Sequence, residues 1–257
     1  MVVIHDTAAL RHPEWYSPLY ARYQRLVLPV LARRALRVIT DSEFSRAEVA
    51  DRLEVPPERV SVVPLGVDER FSPGADPEPA RSAHRLERPY VLAVGSRVAR
   101  KNLAALSEAA SRLEAEGIEL VTAGSGRGYM RAEANAPVRA LGYVADEHLP
   151  GLYAGAAAFA MPSVYEGFGL PCLEAMACGT PVVAADRTAL PETCGDAALL
   201  VDPLDPAAVA DALVAAATDE SVSGPLVQAG LARAARFTWR RSAELTDGVL
   251  GELLGRG

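Results

Sequence analysis

Residues 163–186 read SVYEGFGLPCLEAMACGTPVVAAD, from Ser163 to Asp186. Two glutamates, Glu166 and Glu174, enclose seven residues. Glu166 stands in a glycine-rich turn. Glu174 stands in the opening turn of a helix that Pro171 starts and Gly179 ends, because proline suits the first helical position and glycine the exit. The turn Gly167-Phe168-Gly169 lets backbone N–H groups approach a ligand closely, and the helix start adds partial positive charge. Together they make an anion site suited to a phosphate. A carboxylate one turn inside the helix, that of Glu174, accepts hydrogen bonds from a vicinal diol such as a ribose. Phosphate beside ribose points to a nucleotide.

From Pro89 onward, short apolar runs alternate with helical patterns. Tyr90–Gly95, Ile118–Ala123, Val138–Gly142, Ala156–Met161, Pro181–Ala185 and Ala197–Val201 read as strands. Residues 102–116, 147–154, 171–178, 206–218 and 225–236 read as helices. Strands apolar on both faces, alternating with helices, predict an α/β fold with a covered parallel sheet. Ligands of such sheets bind at the carboxyl ends of the strands, where the Glu166 turn lies. Before Pro89, Val2–Ile4, Val38–Thr40 and Ser61–Val63 read as strands, with helices near 16–35 and 43–53 between them. Residues 73–79, PGADPEP, read as a linker or excursion.

Composition bounds the partners. Half of the 257 residues are hydrophobic, and a net charge of −7 with a pI near 5.2 argues against nucleic acid. No apolar run approaches a membrane span and the amino-terminal residues lack a signal-peptide layout. Cys172, Cys178 and Cys194 form no C-x-x-C pair, so reduced thiols in a cytoplasm and no metal centre are expected. Between Leu19 and Val38, five arginines (Arg22, Arg25, Arg33, Arg34 and Arg37) sit among leucines and tyrosines without an acid. That stretch reads either as a solvated face or as a surface for an anionic membrane or lipid-linked acceptor, on the inner face of the membrane. Pro29 is expected to interrupt its helix.

A second cluster follows the strand Tyr90–Gly95. Ser96, Arg97, Arg100 and Lys101 lie at a strand end beside another helix start. The chain holds 25 arginines and a single lysine, Lys101. A compact ammonium in a chain that otherwise uses guanidinium suggests a site for a point charge on phosphate. His5 and Asp6 follow the strand Val2–Ile4, which places an imidazole at another strand end.

The Glu-seven-residues-Glu pattern continuing into A-M-A-x-G-x-P-V-V-A-x-D resembles the signature of glycosyltransferase family 4, retaining enzymes of the GT-B fold. The resemblance runs along nearly the whole chain. It implies the partial end of an amino-terminal Rossmann-like acceptor domain (1–65), a Rossmann-like donor domain (66–236) and a helix crossing back (237–257), with Trp239 packing. Family members carry further strand–helix units before the His-Asp, so a fragment, a misassigned start or a short protein is implied. The implied reaction moves a hexose from a nucleoside diphosphate sugar, GDP-mannose being favoured on the style of the phosphate loop, to an unknown glycan or lipid-linked acceptor. Lys101 with Arg97 or Arg100 would hold the diphosphate, Ser96 standing where the family often has arginine. Phe168, Gly169 and Leu170 would present the turn, Glu174 would hold the ribose, and His5 and Glu166 would attend the sugar. Gly142 and Val144 would read the base edge while Leu149 packs on its face. With no D-x-D at a strand end, cations and helix dipoles rather than a metal or cofactor would stabilise the leaving diphosphate.

Other readings stand beside this one. Paired carboxylates also serve glycosidases, but Glu174 belongs to the phosphate helix rather than the far side of a sugar. A pyridoxal phosphate-dependent phosphorylase needs a Schiff-base lysine, and the single lysine is committed elsewhere. The missing units leave open a non-catalytic nucleotide-sugar module, or a subunit completed by a partner chain. Gly124-Ser125-Gly126 reads as a tight turn.

Overall fold

The structure, a computed structural model, describes residues 1–124 and 138–255, so Ser125 and Gly126 of the expected tight turn lie outside the described residues. Two parallel sheets organise the chain. The smaller has the order β1-β2-β3, from Val2–Val3, Val38–Thr40 and Val60–Val62. Helices α1 (Ala8–Arg11), α2 (Pro18–Arg34) and α3 (Glu43–Leu53) connect these strands. Ile4, Val38, Leu53 and Val60 bury one face of the sheet with Ala32 of α2 and Val49 of α3.

The larger sheet has six strands in the order β6-β5-β4-β7-β8-β9. They are β4 (Tyr90–Val94), β5 (Glu119–Ala123), β6 (Arg139–Gly142), β7 (Ala158–Met161), β8 (Val182–Ala185) and β9 (Ala198–Val201). Successive residues point to opposite faces of a strand. Val91 and Ala93 of β4, with Ala158 and Ala160 of β7, therefore meet α5 (Ser107–Ala115) and α9 (Pro206–Thr218). Leu92 and Phe159 face the other way, onto α6 (Leu149–Ala154), α7 (Leu170–Ala177) and α10 (Glu220–Ala234). Burial on both faces is why these strands read as unbroken apolar runs. Chain order reverses between β4 and β7, so the loops after those two strands diverge and open a crevice there.

Three elements depart from the sequence expectation. The helix expected from Asn102 begins instead as one 3₁₀ segment, Leu103–Leu106, and α5 starts at Ser107; Asn102 itself is left-handed (φ 51°) and stands outside the helical path. Pro29 does not interrupt α2, which runs unbroken across it. The carbonyl it leaves without its helical donor belongs to Arg25, a residue exposed to solvent. Pro225 likewise sits inside α10, whose cap is Asp219. Two short helices, α4 (Glu78–His84) and α8 (Leu190–Cys194), carry no apolar periodicity long enough to read.

After α10 the chain re-enters the smaller unit as α11 (Trp239–Leu253). Leu245 and Val249 of this helix pack on Ile39 and Val63, covering the second face of the small sheet. Outgoing and returning strands touch where the Val67 N–H donates to the Phe237 carbonyl at 2.9 Å. A Cβ on Gly66 would strike backbone atoms of Thr238 and Trp239. Gly66→Ala should therefore cost about 1–3 kcal/mol by overpacking, lowering the thermal midpoint by roughly 3–10 °C. Calorimetric unfolding checks this, and an unchanged midpoint would show that the crossing yields.

Candidate functional site

The loops after β4 and β7, the strands flanking the chain reversal, bring Arg100, Lys101 and Glu166 together. Arg100 Nη1 donates to Glu166 Oε2 at 2.8 Å, and Lys101 Nζ lies 2.8 Å from Oε1. Glu166 and Lys101 are both buried. Burial alone would push the Glu166 carboxyl upward, but the charges of Lys101 and Arg100 overcome this and hold its pKa at about 2. A buried charge persists only when paired, and here each carboxylate oxygen has its own cation.

The surrounding backbone is tied as firmly. Arg100 Nη1 also reaches the Tyr165 carbonyl at 3.2 Å, and the Arg100 carbonyl accepts the Val164 N–H at 2.9 Å. Asn102 donates from Nδ2 to the carbonyls of Pro162 (3.2 Å) and Pro203 (2.8 Å), so the residue after Lys101 joins three loops. The Glu166 N–H donates to Thr188 Oγ1 at 3.0 Å. Thr188 has φ 58°, an unfavourable conformation for a β-branched residue. Holding the Glu166 backbone gives that strain a purpose.

The smaller unit closes onto the same turn. The Gly167 carbonyl accepts from Ser42 Oγ at 2.6 Å and lies 3.0 Å from Ser45 Oγ. A Cβ on Gly167 would come within 2.5 Å of the His5 carbonyl oxygen, so glycine is required for this approach. That carbonyl is also 3.0 Å from Ser45 Oγ. What His5 offers a ligand is thus its ring rather than its carbonyl. The ring is about two-thirds exposed, and Nδ1 sits 2.7 Å from Oδ2 of buried Asp41. The hydrogen bond to Asp41 raises the imidazole pKa and turns Nε2 outward. Asp6, buried next to His5, has its pKa raised by that burial, and one of its oxygens accepts the Ala8 N–H. Glu192 of α8 accepts the Glu43 and Phe44 N–H groups at 2.8 and 3.2 Å, capping α3 from the other unit.

The remaining expected residues fall around this centre. Gly169 is the left-handed N-cap of α7, with Leu170 as its first residue, and the Phe168 carbonyl accepts from Thr193 Oγ1 at 2.6 Å. Glu174 receives the hydroxyl of fully buried Tyr153 on Oε2 at 2.8 Å, and burial raises its pKa against the effect of that bond. Ser96 and Arg97 lie half-buried in the loop that ends at Lys101. Gly142 closes β6, while Val144 and Leu149 pack into the main core, so their side chains are committed to packing. Asp41, Ser42, Ser45, Tyr153, Thr188 and Glu192 were not among the expected residues. Only Ser42 carried a signal, as a serine directly before a helical run. A cavity of about 540 Å³ lies behind the Gly167–Gly169 turn, lined by Leu65, Phe168, Arg233, Phe237 and Arg241 at the crossing between the units.

With this geometry in hand, comparison with known proteins is specific. Residues 88–219 match the family described as glycosyl transferases group 1, and residues 1–71 match glycosyltransferase family 4. The chain is 34% identical to O-antigen chain mannosyltransferase B of Escherichia coli, over 96% of this chain and 68% of that protein. It is 33% identical to an MMP α-(1→4)-mannosyltransferase of Mycolicibacterium hassiacum, over 74% of this chain and 48% of that protein. Anabaena HepE in complex with UDP-glucose has a similar fold, with a TM-score of 0.78 and 22% identity over 97% of this chain and 72% of that one. The chain thus spans from about half to nearly three-quarters of the length of these proteins. It belongs to the glycosyltransferases of family 4, with the GT-B fold.

The buried triad makes its stability pH-dependent. The folded pKa of Glu166 lies below the ordinary 4.5, so its contribution is fully present above that value and is lost as pH falls through about 2. Glu166→Gln should cost on the order of 3 kcal/mol at neutral pH, since buried Lys101 and half-buried Arg100 lose their partner. The gap to the wild type should narrow as the solution is acidified from 4.5 towards 2. Denaturant titration across that range measures it, and a gap independent of pH would mean that Glu166 is not the anion that matters.

Proposed function

We propose that this family 4 chain carries the donor half of a retaining hexosyl transfer, with a nucleoside diphosphate sugar as donor and GDP-mannose as the favoured one. The observation that carries this is the pair of cations, Arg100 and Lys101, gathered at the chain reversal beside the amino-terminal turn of α7. Without donor they are neutralised by Glu166. An arriving diphosphate supplies a competing anion of higher charge, draws the ammonium and guanidinium to itself and frees Glu166 to face the sugar. In the transition state the leaving diphosphate gains negative charge, and cations already desolvated and fixed stabilise it with little reorganisation. The N–H groups of Gly169 and Leu170 add the helix dipole. Glu174, anchored by Tyr153 through one oxygen, keeps the other for the ribose diol. His5, steadied by Asp41, turns Nε2 towards a sugar hydroxyl.

The two mannosyltransferase relatives support mannose as the sugar. The UDP-glucose complex of HepE supports a nucleotide sugar in this fold. Similarity to a mannosyltransferase along 96% of the chain supports catalysis over a binding-only module. The acceptor is read as a glycan or a lipid-linked saccharide.

Calorimetric titration with GDP, UDP and ADP tests the donor assignment. One nucleotide should bind well, and Lys101→Ala should weaken it roughly 10- to 100-fold through loss of a charge-assisted contact. Glu174→Ala should weaken it as well. Wild-type affinity should fall as acid carries Glu174 through its raised pKa, because the protonated carboxyl is a poorer acceptor for the diol. Unchanged affinity in Lys101→Ala would sink the reading.

A further inference from the structure

The cavity of about 540 Å³ at the crossing lies behind the Gly167–Gly169 turn, and none of His5, Arg100, Lys101, Glu166 and Glu174 lines it. Both units supply its walls. Leu65 belongs to the chain leaving the small sheet, Phe168 to the Glu166 turn, and Phe237 and Leu245 to the returning segment and α11. The Phe168 and Phe237 rings meet edge to face at 5.8 Å, so the interior is aromatic and apolar. Its volume suits one small organic molecule.

The polar groups of the lining select what enters. Ser242 Oγ donates to the Pro64 carbonyl, Thr193 Oγ1 to that of Phe168, and Thr238 Oγ1 accepts the Arg241 N–H. Both oxygens of Glu192 are taken by the Glu43 and Phe44 N–H groups. A sugar would therefore find few partners for its hydroxyls. Arg233 is held as well, by the Glu192 and Thr193 carbonyls and over the Phe237 ring. Arg236 and Arg241 differ. Both line the cavity yet are exposed, and their guanidinium groups make no ion pair or hydrogen bond among the described residues. In a chain of net charge −7, they set uncompensated positive charge at the mouth of an apolar cavity. Guanidinium offers an oxyanion two parallel N–H groups. We propose that this cavity binds a small aromatic acid, its rings against Phe168, Phe237 and Leu245 and its acid head on Arg236 and Arg241. Such a ligand touches both units and the residue between Gly167 and Gly169. This inference does not depend on the donor chemistry.

The probe for the test is anilinonaphthalene sulfonate, whose rings supply the body and whose sulfonate supplies the head. Its fluorescence should rise saturably as a single site, weaken with added salt, and survive saturating GDP, UDP or ADP. Neutral phenylnaphthylamine, the same rings without the acid, should bind roughly 10-fold more weakly. Arg236→Gln with Arg241→Gln should weaken the sulfonate by a like factor and leave the neutral amine unaffected. The thermal midpoint of that double variant should match the wild type, since both side chains are exposed and unpaired. Saturating sulfonate should raise the wild-type midpoint more than that of the variant. Absence of saturable binding overturns the proposal, as do equal affinities for the acid and the neutral amine, or indifference to the double variant. Displacement by a nucleotide would also overturn it, placing the probe in the donor cleft.

Discussion

A single carboxylate held between two cations, in a crevice where the sheet changes direction, is the constraint around which the protein is arranged. Lys101 could not stay buried without Glu166, because an unpaired charge in that setting costs several kcal/mol. The pairing in turn demands that three loops keep register. Asn102 fastens the cation loop to the loops after β7 and β9, and Thr188 takes a strained conformation to hold the Glu166 amide. Strain at Thr188 and desolvation at Glu166 are thus offset by the same ion triad.

The second level of organisation is the seam between the two units. Ser42 and Ser45 reach across to the Gly167 carbonyl, Glu192 caps α3, and α11 covers the small sheet from the far end of the chain. Apolar packing joins these hydrogen bonds, since fully buried Tyr165 sits among Ala8, Ala9, Tyr16 and Phe44 of the smaller unit, and a sizeable cavity lies beside the crossing. The turn carrying Glu166 is gripped from both sides, so the seam and the ion triad are tied together through Gly167.

Much of this was legible in the sequence, for identifiable reasons. The inner strands β4, β7 and β8 of the larger sheet are apolar on both faces, so their runs marked them to within a residue or two. Glu166, Glu174 and the α7 boundaries were marked by proline, glycine and spacing. The lone lysine drew attention by composition. The sequence did not show that Lys101 is spoken for by Glu166, 65 positions away, nor that Asp41 steadies His5. Thr188 was invisible because a left-handed φ at threonine leaves no mark in composition or period. Pro29 misled because its cost depends on whether the freed carbonyl reaches water, which is a matter of exposure.

The division follows the range of the forces. Periodicity, caps and turn residues act over a few positions, and they alone determined the α/β alternation, the parallel sheet and the turn that carries Glu166 at a strand end. Only the tertiary structure decided which charges share a crevice, which side of α2 faces water and which residues of the small unit touch the Glu166 turn. Those are questions of distance between residues far apart in the chain, settled by strand order and by the way the returning helix closes the two sheets together.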